Sequence, residues 1–188
     1  MMNRARLLEI LKRHVTDEIV VSSYSSAFDW FAQGERTLNY FSHGAMGLGS
    51  SHGLGLALAR PERRVIVLDG DGSLLMNLGT LVTNAEVAPK NLFHFVCENG
   101  TYEANGGVDI PGRHRVDFAA IARAAGYREA YAFSALDDFR AQLPALLRAK
   151  GPVFATLKIE PGELSKKDYD YIHGPEPREA FRAAVAQR

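Results

Sequence analysis

Short apolar runs alternate with segments of helical periodicity along most of this 188-residue chain. Runs rich in β-branched and aromatic side chains predict strands buried in a core. The predicted strands are Glu18–Val21, Thr37–Phe41, Val65–Asp69, Asn91–Glu98, Ala130–Phe133 and Val153–Ile159. Because helical segments separate them, the pattern indicates an α/β domain with a mainly parallel sheet of about six strands and helices on both faces.

The helical segments carry apolar residues three and four positions apart, which is the spacing of one buried helix face. Pro89 and Gly126 are helix stop signals, and Ser134–Asp137 has the pattern of a capping box. The predicted helices are Arg4–His14, Ala27–Ala32, Ser73–Ala88, Asp117–Gly126, one from Ser134 toward Lys150 with a kink near Pro144, and Pro177–Ala186.

The composition limits the kinds of partner. Lys plus Arg and Asp plus Glu both number 22, so no net charge attracts nucleic acid or an anionic membrane. The single cysteine, Cys97, lies in an apolar run, which predicts a buried thiol and excludes a disulfide framework within the chain. Residues 1–14 alternate charge with leucine and lack the apolar core of a signal peptide, so we expect a cytoplasmic protein.

A glycine-rich turn, Gly70-Asp71-Gly72-Ser73, follows the third predicted strand. Glycine lets the backbone approach a ligand closely, and Ser73 is expected to cap the following helix. The N-terminus of that helix offers free N–H groups and a partial positive charge, both of which favour a phosphate. Since Gly-Asp-Gly is also common in ordinary turns, its interpretation depends on the next strand.

Asp71 and Asn99 come directly after the ends of two successive strands. The carboxyl ends of parallel strands meet at one edge of a sheet, so we expect the two side chains to lie close together. Carboxylate and amide oxygens are hard ligands suited to Mg²⁺, which keeps open positions for a diphosphate. The two segments therefore predict a magnesium and diphosphate site.

These segments resemble the motif of the thiamine diphosphate enzymes, in which Gly-Asp-Gly is followed, one helix and one strand later, by Asn-Asn or a close variant. The resemblance implies the thiamine diphosphate-binding fold. The implied ligands of Mg²⁺ are Asp71, the Asn99 side chain and the Thr101 backbone carbonyl, and the implied diphosphate contacts are Gly70, Gly72 and Ser73. Glu98 departs from the motif because it lies where the first Asn is usual, and a carboxylate there would alter the local field.

The same resemblance implies that serines after the first strand contact the diphosphate. The family's first-strand loop also reaches the diphosphate, which makes Ser23 and Ser25 candidates. A capped turn would explain the same hydroxyl cluster without any ligand. Tyr102, beside the implied metal ligands, is a further candidate contact.

The segment Gly44-Ala45-Met46-Gly47 resembles the part of the family that meets the aminopyrimidine ring of the cofactor. The Gly44 carbonyl would accept a hydrogen bond from the 4'-amino group, and Ala45 would adjoin it. Met46 would hold the cofactor in its bent shape. Ordinary core packing is the alternative role for this methionine.

A dinucleotide site is a second interpretation of the same glycines. Gly47, Gly49 and Gly53 form a loose Gly-x-Gly-x-x-x-Gly, and Asp69 ends the next strand, where a ribose-binding acid would lie. We disfavour this interpretation because the preceding strand is short and polar, and because Gly70–Ser73 would then have no role.

His43 and His52 have no assigned function in this region. A hydrogen-bonded structural role is the commoner one for a histidine.

The resemblance covers nearly the whole chain but only half of a complete thiamine diphosphate enzyme. Such enzymes combine a diphosphate-binding domain with a pyrimidine-binding domain, whose glutamate promotes deprotonation of the cofactor. We expect residues 1–188 to form one diphosphate-binding domain. The pyrimidine-binding domain is expected on a partner chain, in a hetero-oligomer of α2β2 or larger, and with it the activating glutamate, so no catalytic residue is assigned here.

A narrower resemblance, to the decarboxylases of sulfopyruvate and phosphonopyruvate, rests on Gly44–Gly47, Asn99–Gly100, Asn105–Gly107 and Lys158–Gly162. It implies a lyase subunit acting on a small anionic 2-oxo acid. Arg113, His114 and Arg115 are candidates to meet the substrate anion, or form a solvated loop.

Two alternatives to the decarboxylase stay open. The first is a half-enzyme of acetolactate-type carboligation or 2-oxo acid oxidation, although one cysteine cannot hold an iron–sulfur cluster for oxidation. The second is a non-catalytic subunit of the same fold.

Overall fold

A six-stranded parallel sheet is the centre of the fold in the computed structural model, which describes residues 1–42, 44–162 and 165–187. Its strands are β1 (Ile19–Ser23), β2 (Asn39–Ser42), β3 (Val65–Gly70), β4 (Leu92–Glu98), β7 (Glu129–Phe133) and β8 (Val153–Lys158). Their order is β2-β1-β3-β4-β8-β7. All six predicted strands are present, and the α/β class is confirmed.

Nine α-helices are assigned within the described residues. They are α1 (Arg4–Lys12), α2 (Tyr24–Phe31), α3 (Gly49–Ala59), α4 (Asp71–Met76), α5 (Thr80–Val87), α6 (Phe118–Ala125), α7 (Leu136–Arg148), α8 (Tyr169–His173) and α9 (Pro175–Ala186). A small hairpin, β5 (Thr101–Tyr102) and β6 (Val108–Asp109), and a 3-10 turn, Glu103–Asn105, follow β4. The hairpin and α8 were not predicted from the sequence, and no bounds were predicted for α3.

Helices cover both faces of the sheet because alternate strand residues point to opposite sides and both sets are apolar. Ile66 and Phe95 belong to one core cluster with side chains of α1, α2 and α7. Val67 packs on the other face with α3 and α9, and Val96 packs there with α5 and α6. The sheet is therefore a buried middle layer, and its strand ends are left to carry polar groups.

The predicted continuous helix Ser73–Ala88 is wrong, because α4 ends at Met76 and α5 begins at Thr80. Asn77 leaves the helical conformation, with φ −145° and ψ 54°. Its side-chain amide donates a hydrogen bond to the Gly47 carbonyl at 3.1 Å. The helix break is thus accompanied by a contact with a segment 30 residues earlier. Helical periodicity, which depends on nearby residues only, cannot reveal such a contact.

The cap prediction at α6 is confirmed, whereas the one at α7 is wrong. Asp117 caps α6 by accepting from the Ala120 N–H at 2.9 Å, and Gly126 ends that helix with φ +107°. The capping box at Ser134–Asp137 is wrong, since the N-cap of α7 is Ala135 and makes no side-chain bond. Pro144 lies inside α7.

The beginning of the chain is attached to the carboxyl end of β8. The Met2 N–H donates to the Lys158 carbonyl and the Glu160 N–H donates to the Met2 carbonyl, both at 2.9 Å. This bridge places the first turn of α1 at the edge of the sheet where the predicted site lies. Among the helices in the described ranges, none has the length and apolar character needed to cross a membrane.

Candidate functional site

The predicted site residues lie at or just after the carboxyl ends of β1, β2, β3 and β4. The chain passes from β1 to the outer strand β2 and returns on the other side of β1 as β3, so the strand order reverses there. Open α/β sheets bind ligands in the crevice at such a reversal. A pocket at this place is lined by ten of the twelve predicted cofactor residues: Ser23, Ser25, Met46, Gly70, Asp71, Gly72, Ser73, Asn99, Thr101 and Tyr102.

Gly44 and Ala45 are the two predicted residues that do not line this pocket. Gly44, with φ +101°, lines a second, apolar cavity beside Phe28, and Ala45 is exposed. Tyr24 lines both the pocket and the apolar cavity. Gly44 and Ala45 therefore lie next to the pocket, whereas Met46 of the same segment lines it. His43 lies outside the described residues.

Asp71 is the buried carboxylate of the pocket, with 1% of its surface exposed. One of its oxygens accepts from the Gly72 N–H at 2.8 Å and the other from the Gly100 N–H at 2.6 Å. Burial raises the pKa of this carboxyl to about 6, although the backbone donors favour its ionised form. A cation placed beside it would favour the carboxylate further.

Asn99 faces the same pocket from the end of β4. Its side-chain oxygen accepts from the Thr101 N–H at 2.8 Å and from the Thr101 hydroxyl at 3.1 Å. The start of the β5–β6 hairpin is thereby folded back onto Asn99. The sheet brings Asp71 and Asn99 into one pocket, as their positions at two strand ends predict.

Gly72 is required by a protein contact as well as by room for a ligand. A Cβ atom at Gly72 would lie 2.5 Å from the Tyr102 ring. At Gly70 a Cβ would meet nothing within 4 Å. The ring of Tyr102 therefore packs against the turn that begins α4, and it links the Gly-Asp-Gly segment to the hairpin after β4.

Ser73 is not a helix cap, so that prediction is wrong. It is the third residue of α4, and its hydroxyl accepts from the Gly47 N–H at 3.0 Å. The Gly47 carbonyl accepts from Asn77. Both backbone groups of Gly47 are thus bound by side chains of α4 or its C-cap, and a Cβ at Gly47 would lie 2.8 Å from that of Asn77. These contacts fix the position of the half-buried Met46 at the pocket.

The Ser23 hydroxyl lies at the pocket but is already engaged in a hydrogen bond within the protein. Its hydroxyl donates to Asp69 at 2.9 Å, and a ring nitrogen of the buried His94 lies 3.4 Å from the other Asp69 oxygen. Burial opposes ionisation of Asp69, but the bonds from His94, Ser73 and Ser23 outweigh it and lower the pKa. A carboxylate that is 1% exposed and bound in this way has no oxygen presented to a ribose hydroxyl.

Six further residues line the pocket without having been predicted: Arg4, Tyr24, Ser26, Cys97, Glu103 and Ala104. Tyr24 has φ +45°, a conformation uncommon for residues other than glycine. Cys97 is 3% exposed, as predicted for a buried thiol. Arg4 had no local signal, because a charged residue at the start of an amphipathic helix ordinarily belongs to its solvated face.

The basic residues proposed to meet a substrate anion do not line this pocket. Arg113 pairs with Asp109, and its side chain lies against Gly100, where a Cβ would come within 2.7 Å of it. Arg113 and His114 line a neighbouring depression with Glu98 and Lys158, and Asn99 lines both this depression and the pocket. Burial raises the pKa of Glu98, whose carboxylate lies 3.9 Å from the Lys158 amine.

Among residues 1–42, 44–162 and 165–187, no three His, Cys, Asp or Glu side chains are grouped to hold a metal ion. Any metal in this pocket would therefore depend on Asp71 together with amide and carbonyl oxygens.

His52 has a structural environment, since its ring lies 3.0 Å from the Ser42 hydroxyl and packs edge-on against Tyr40.

The chain is similar to a characterised sequence family and to two kinds of curated protein. Residues 21–156 match the family described as thiamine pyrophosphate enzyme, C-terminal TPP binding domain. Phosphonopyruvate decarboxylase of Streptomyces viridochromogenes is 38% identical over 180 residues, or 96% of this chain and 44% of that protein. Sulfopyruvate decarboxylase subunit beta of Methanothermobacter thermautotrophicus is 36% identical over 163 residues, or 86% of this chain and 84% of that subunit.

A solved structure has the same fold. The thiamine diphosphate-dependent 4-hydroxybenzoylformate decarboxylase of Rhodococcus jostii superposes with a TM-score of 0.73 at 25% identity, covering 86% of this chain and 33% of that one. The chain thus spans less than half of the phosphonopyruvate decarboxylase and a third of this structure, but most of the sulfopyruvate decarboxylase subunit.

Proposed function

We propose that this chain, which belongs to the thiamine pyrophosphate enzymes through their C-terminal TPP binding domain, is the cofactor-binding subunit of a Mg²⁺-dependent 2-oxo acid decarboxylase. The observation that carries the proposal is the single pocket that Asp71 and Asn99 share at the ends of β3 and β4. The names of the relatives supply the class of reaction.

The oxygen atoms of the pocket fit a magnesium ion. Each Asp71 oxygen accepts one backbone hydrogen bond, and a carboxylate oxygen has about two lone pairs, so both can still coordinate. The Asn99 oxygen accepts from both the N–H and the hydroxyl of Thr101. Coordination by Asn99 would therefore require the Thr101 hydroxyl to rotate away, and the Thr101 carbonyl would be the third protein ligand.

The same pocket offers partners for a diphosphate. Gly70 and Gly72 expose backbone to it, and Ser25 is half-buried in its wall. The Ser23 hydroxyl donates to Asp69, so Ser23 would orient the loop while Ser25 contacts phosphate oxygens. Ser73 would act in a similar indirect way, by holding Gly47.

When bound, thiamine diphosphate supplies an electron sink for the carbanion that loss of CO₂ leaves. The residues of this chain would hold its diphosphate and metal, and Met46 would support its bent shape. The Gly44 carbonyl would accept from the 4'-amino group. We assign no proton-abstracting group to this chain, so a glutamate on a pyrimidine-binding partner subunit would complete the site, in a hetero-oligomer of α2β2 or larger.

The substrate we propose is a small anionic 2-oxo acid, with sulfopyruvate and phosphonopyruvate as the candidates. The names of the relatives support this choice. Because Arg113 and His114 do not line the pocket itself, the partner subunit would supply the contacts to the anionic tail.

A decarboxylation assay tests the proposal with three samples: this chain, a pyrimidine-domain partner, and their mixture, each with thiamine diphosphate and Mg²⁺. Only the mixture should release CO₂, because general acid–base assistance of the expected kind is worth about 10²- to 10⁴-fold in rate. Pyruvate is the control without an anionic tail. Turnover by this chain alone would overturn the half-site assignment, and a preference for pyruvate would overturn the substrate assignment only.

A further inference from the structure

One buried guanidinium connects three separate elements beside the pocket. Arg4 is 7% exposed and lines the pocket from the first turn of α1. Its Nε donates to the Asp29 carboxylate of α2. Its two terminal nitrogens donate to the two Glu103 oxygens, at 2.7 and 3.3 Å. This forked arrangement, which lysine cannot make, links α1 and α2 to the 3-10 turn after β5.

Arg4 is itself held in place from the other side. Met2 pairs with the chain at the carboxyl end of β8, and Asn3 caps α1 by accepting from the Arg6 N–H at 3.1 Å. The Asp29 carboxylate also accepts from the Ser165 N–H at 2.8 Å. The guanidinium therefore has a rigid base, and Glu103 is the member of the network that belongs to a small hairpin.

Glu103 directly follows the two residues that bring the hairpin to the pocket. Thr101 donates to Asn99, and the Tyr102 ring covers Gly72. Beyond the turn the chain has two glycines with positive φ, and β5 and β6 pair over only two residues each. Such a short ladder is weak by itself. The bond to Arg4 is thus a third attachment for residues 101–105.

The charge of Arg4 also matters for the pocket, because two carboxylates lie beside it. Asp29 and Glu103 are two carboxylates with little exposure, and Glu103 lines a pocket that we propose takes a diphosphate. Without Arg4 these negative charges would lack their common cation and would repel an anionic ligand. Buried ion networks are a poor source of net stability, since apolar side chains of similar volume often replace them without loss. Their contribution here is one of position and charge.

We infer that Arg4 is a positioning residue of the cofactor site, which acts through Glu103 to hold residues 101–105 against Asn99 and Gly72; this inference rests on the proposed function. Arg4 contacts neither the metal ligands nor the diphosphate in this scheme. Arg4 therefore affects the affinity for the cofactor. If residues 101–105 had to become ordered during binding, the entropy cost of that ordering would weaken the binding.

Hydrogen exchange of the cofactor-free full chain tests the positioning step directly. The variants are Arg4→Met, Glu103→Met and the double variant. The control is Arg13→Met, since Arg13 is the C-cap of α1 and forms an exposed pair with Glu9. Glu103→Met, which leaves the Arg4–Asp29 pair in place, should accelerate exchange within residues 100–107 and leave the sheet strands at the wild-type rate. Acceleration spread over the whole chain, or none, would overturn the inference.

Calorimetric titration with thiamine diphosphate and Mg²⁺, on the chain assembled with its partner, tests the consequence. Arg4→Met should weaken binding about tenfold, and the double variant should weaken it by less than the sum of the single effects, because neighbouring residues of one network couple. Arg4→Lys, which keeps the charge without the fork, should fall between wild type and Arg4→Met. Wild-type affinity in Arg4→Met would overturn the inference.

The two proposals fail in different ways. If the wild-type assembly does not bind thiamine diphosphate, the proposed function falls, while the exchange rates of the cofactor-free chain still decide the role of Arg4. If Arg4→Met does not fold, Arg4→Lys and the apolar double variant carry the same comparison.

Discussion

The carboxylate of Asp71 accepts a hydrogen bond from the backbone N–H of Gly100 at 2.6 Å, although 29 positions separate the two residues. They follow adjacent strands, β3 and β4. Gly100 has φ +75°, which a residue with a side chain rarely adopts, and the Arg113 side chain occupies the space where a Cβ would lie. The turn that carries Asn99 is therefore oriented by Asp71 before any ligand binds.

Replacing Asp71 by alanine should remove the dependence of cofactor binding on Mg²⁺. The substitution deletes both the proposed metal ligand and the acceptor for Gly100, so affinity should fall by about tenfold or more. Calorimetry of the assembled protein with and without Mg²⁺ measures this. Asp109→Ala is the control, because Asp109 is an exposed carboxylate on the nearby hairpin. Equal wild-type affinity with and without the metal would contradict the magnesium site.

Replacing Gly72 by alanine should destabilise the fold. The new methyl group would lie 2.5 Å from the Tyr102 ring, and overpacking of this kind costs about 1–3 kcal/mol. Urea unfolding of the isolated chain measures the change in the free energy of unfolding. Gly55→Ala is the matched control in α3, where a Cβ meets nothing within 4 Å and helix propensity predicts a gain of about 0.5–1 kcal/mol. No loss in Gly72→Ala would show that the ring moves aside freely.

The proposed role of Met46 is steric, so its variants should separate turnover from binding. Met46→Leu should keep most of the activity. Met46→Gly should lower kcat more than the affinity for thiamine diphosphate, because a misplaced reactive ring still binds through its diphosphate. Steady-state kinetics and calorimetry of the assembled enzyme measure the two effects. Full activity in Met46→Gly would leave this residue a packing role only.

The thiol of Cys97 should be inert in the folded chain. Burial raises its pKa to about 11, so the thiolate, which is the reactive form, is scarce at pH 8. A disulfide reagent such as dithiobisnitrobenzoate should react slowly with the native chain and rapidly in urea. The free energy of unfolding should also fall as the pH rises above the ordinary pKa of a thiol, because only the unfolded chain then releases the proton. Rapid reaction of native protein at pH 8 would contradict the burial.

The sequence by itself determined the sheet and most of the pocket. Six apolar runs separated by helical periodicity specify a parallel sheet, because the long crossover between parallel strands is usually a helix and both sheet faces are then buried. The carboxyl ends of parallel strands meet at one edge, so Asp71 and Asn99 were expected together. The family resemblance added the serines and Met46, and these residues line the same pocket.

Local cap signals were less dependable than the strand pattern. Asp117 caps its helix as expected, whereas Ser73 and Ser134 do not cap theirs. A serine hydroxyl has similar bonds available to a helix end or to a distant backbone group, and the tertiary structure offered Ser73 the Gly47 N–H. Serine is a common capping residue, but the Ser73 hydroxyl binds a backbone group of another segment instead of the end of its own helix.

Only the tertiary structure decided which distant side chains meet at the pocket. The break between α4 and α5 accompanies the bond from Asn77 to Gly47, and Arg4 binds the turn of the hairpin through Glu103, 99 residues away. Periodicity reports which residues are buried, because burial repeats with the geometry of a helix or strand. It carries no information on which buried charge finds which partner, since that depends on how the elements pack in three dimensions.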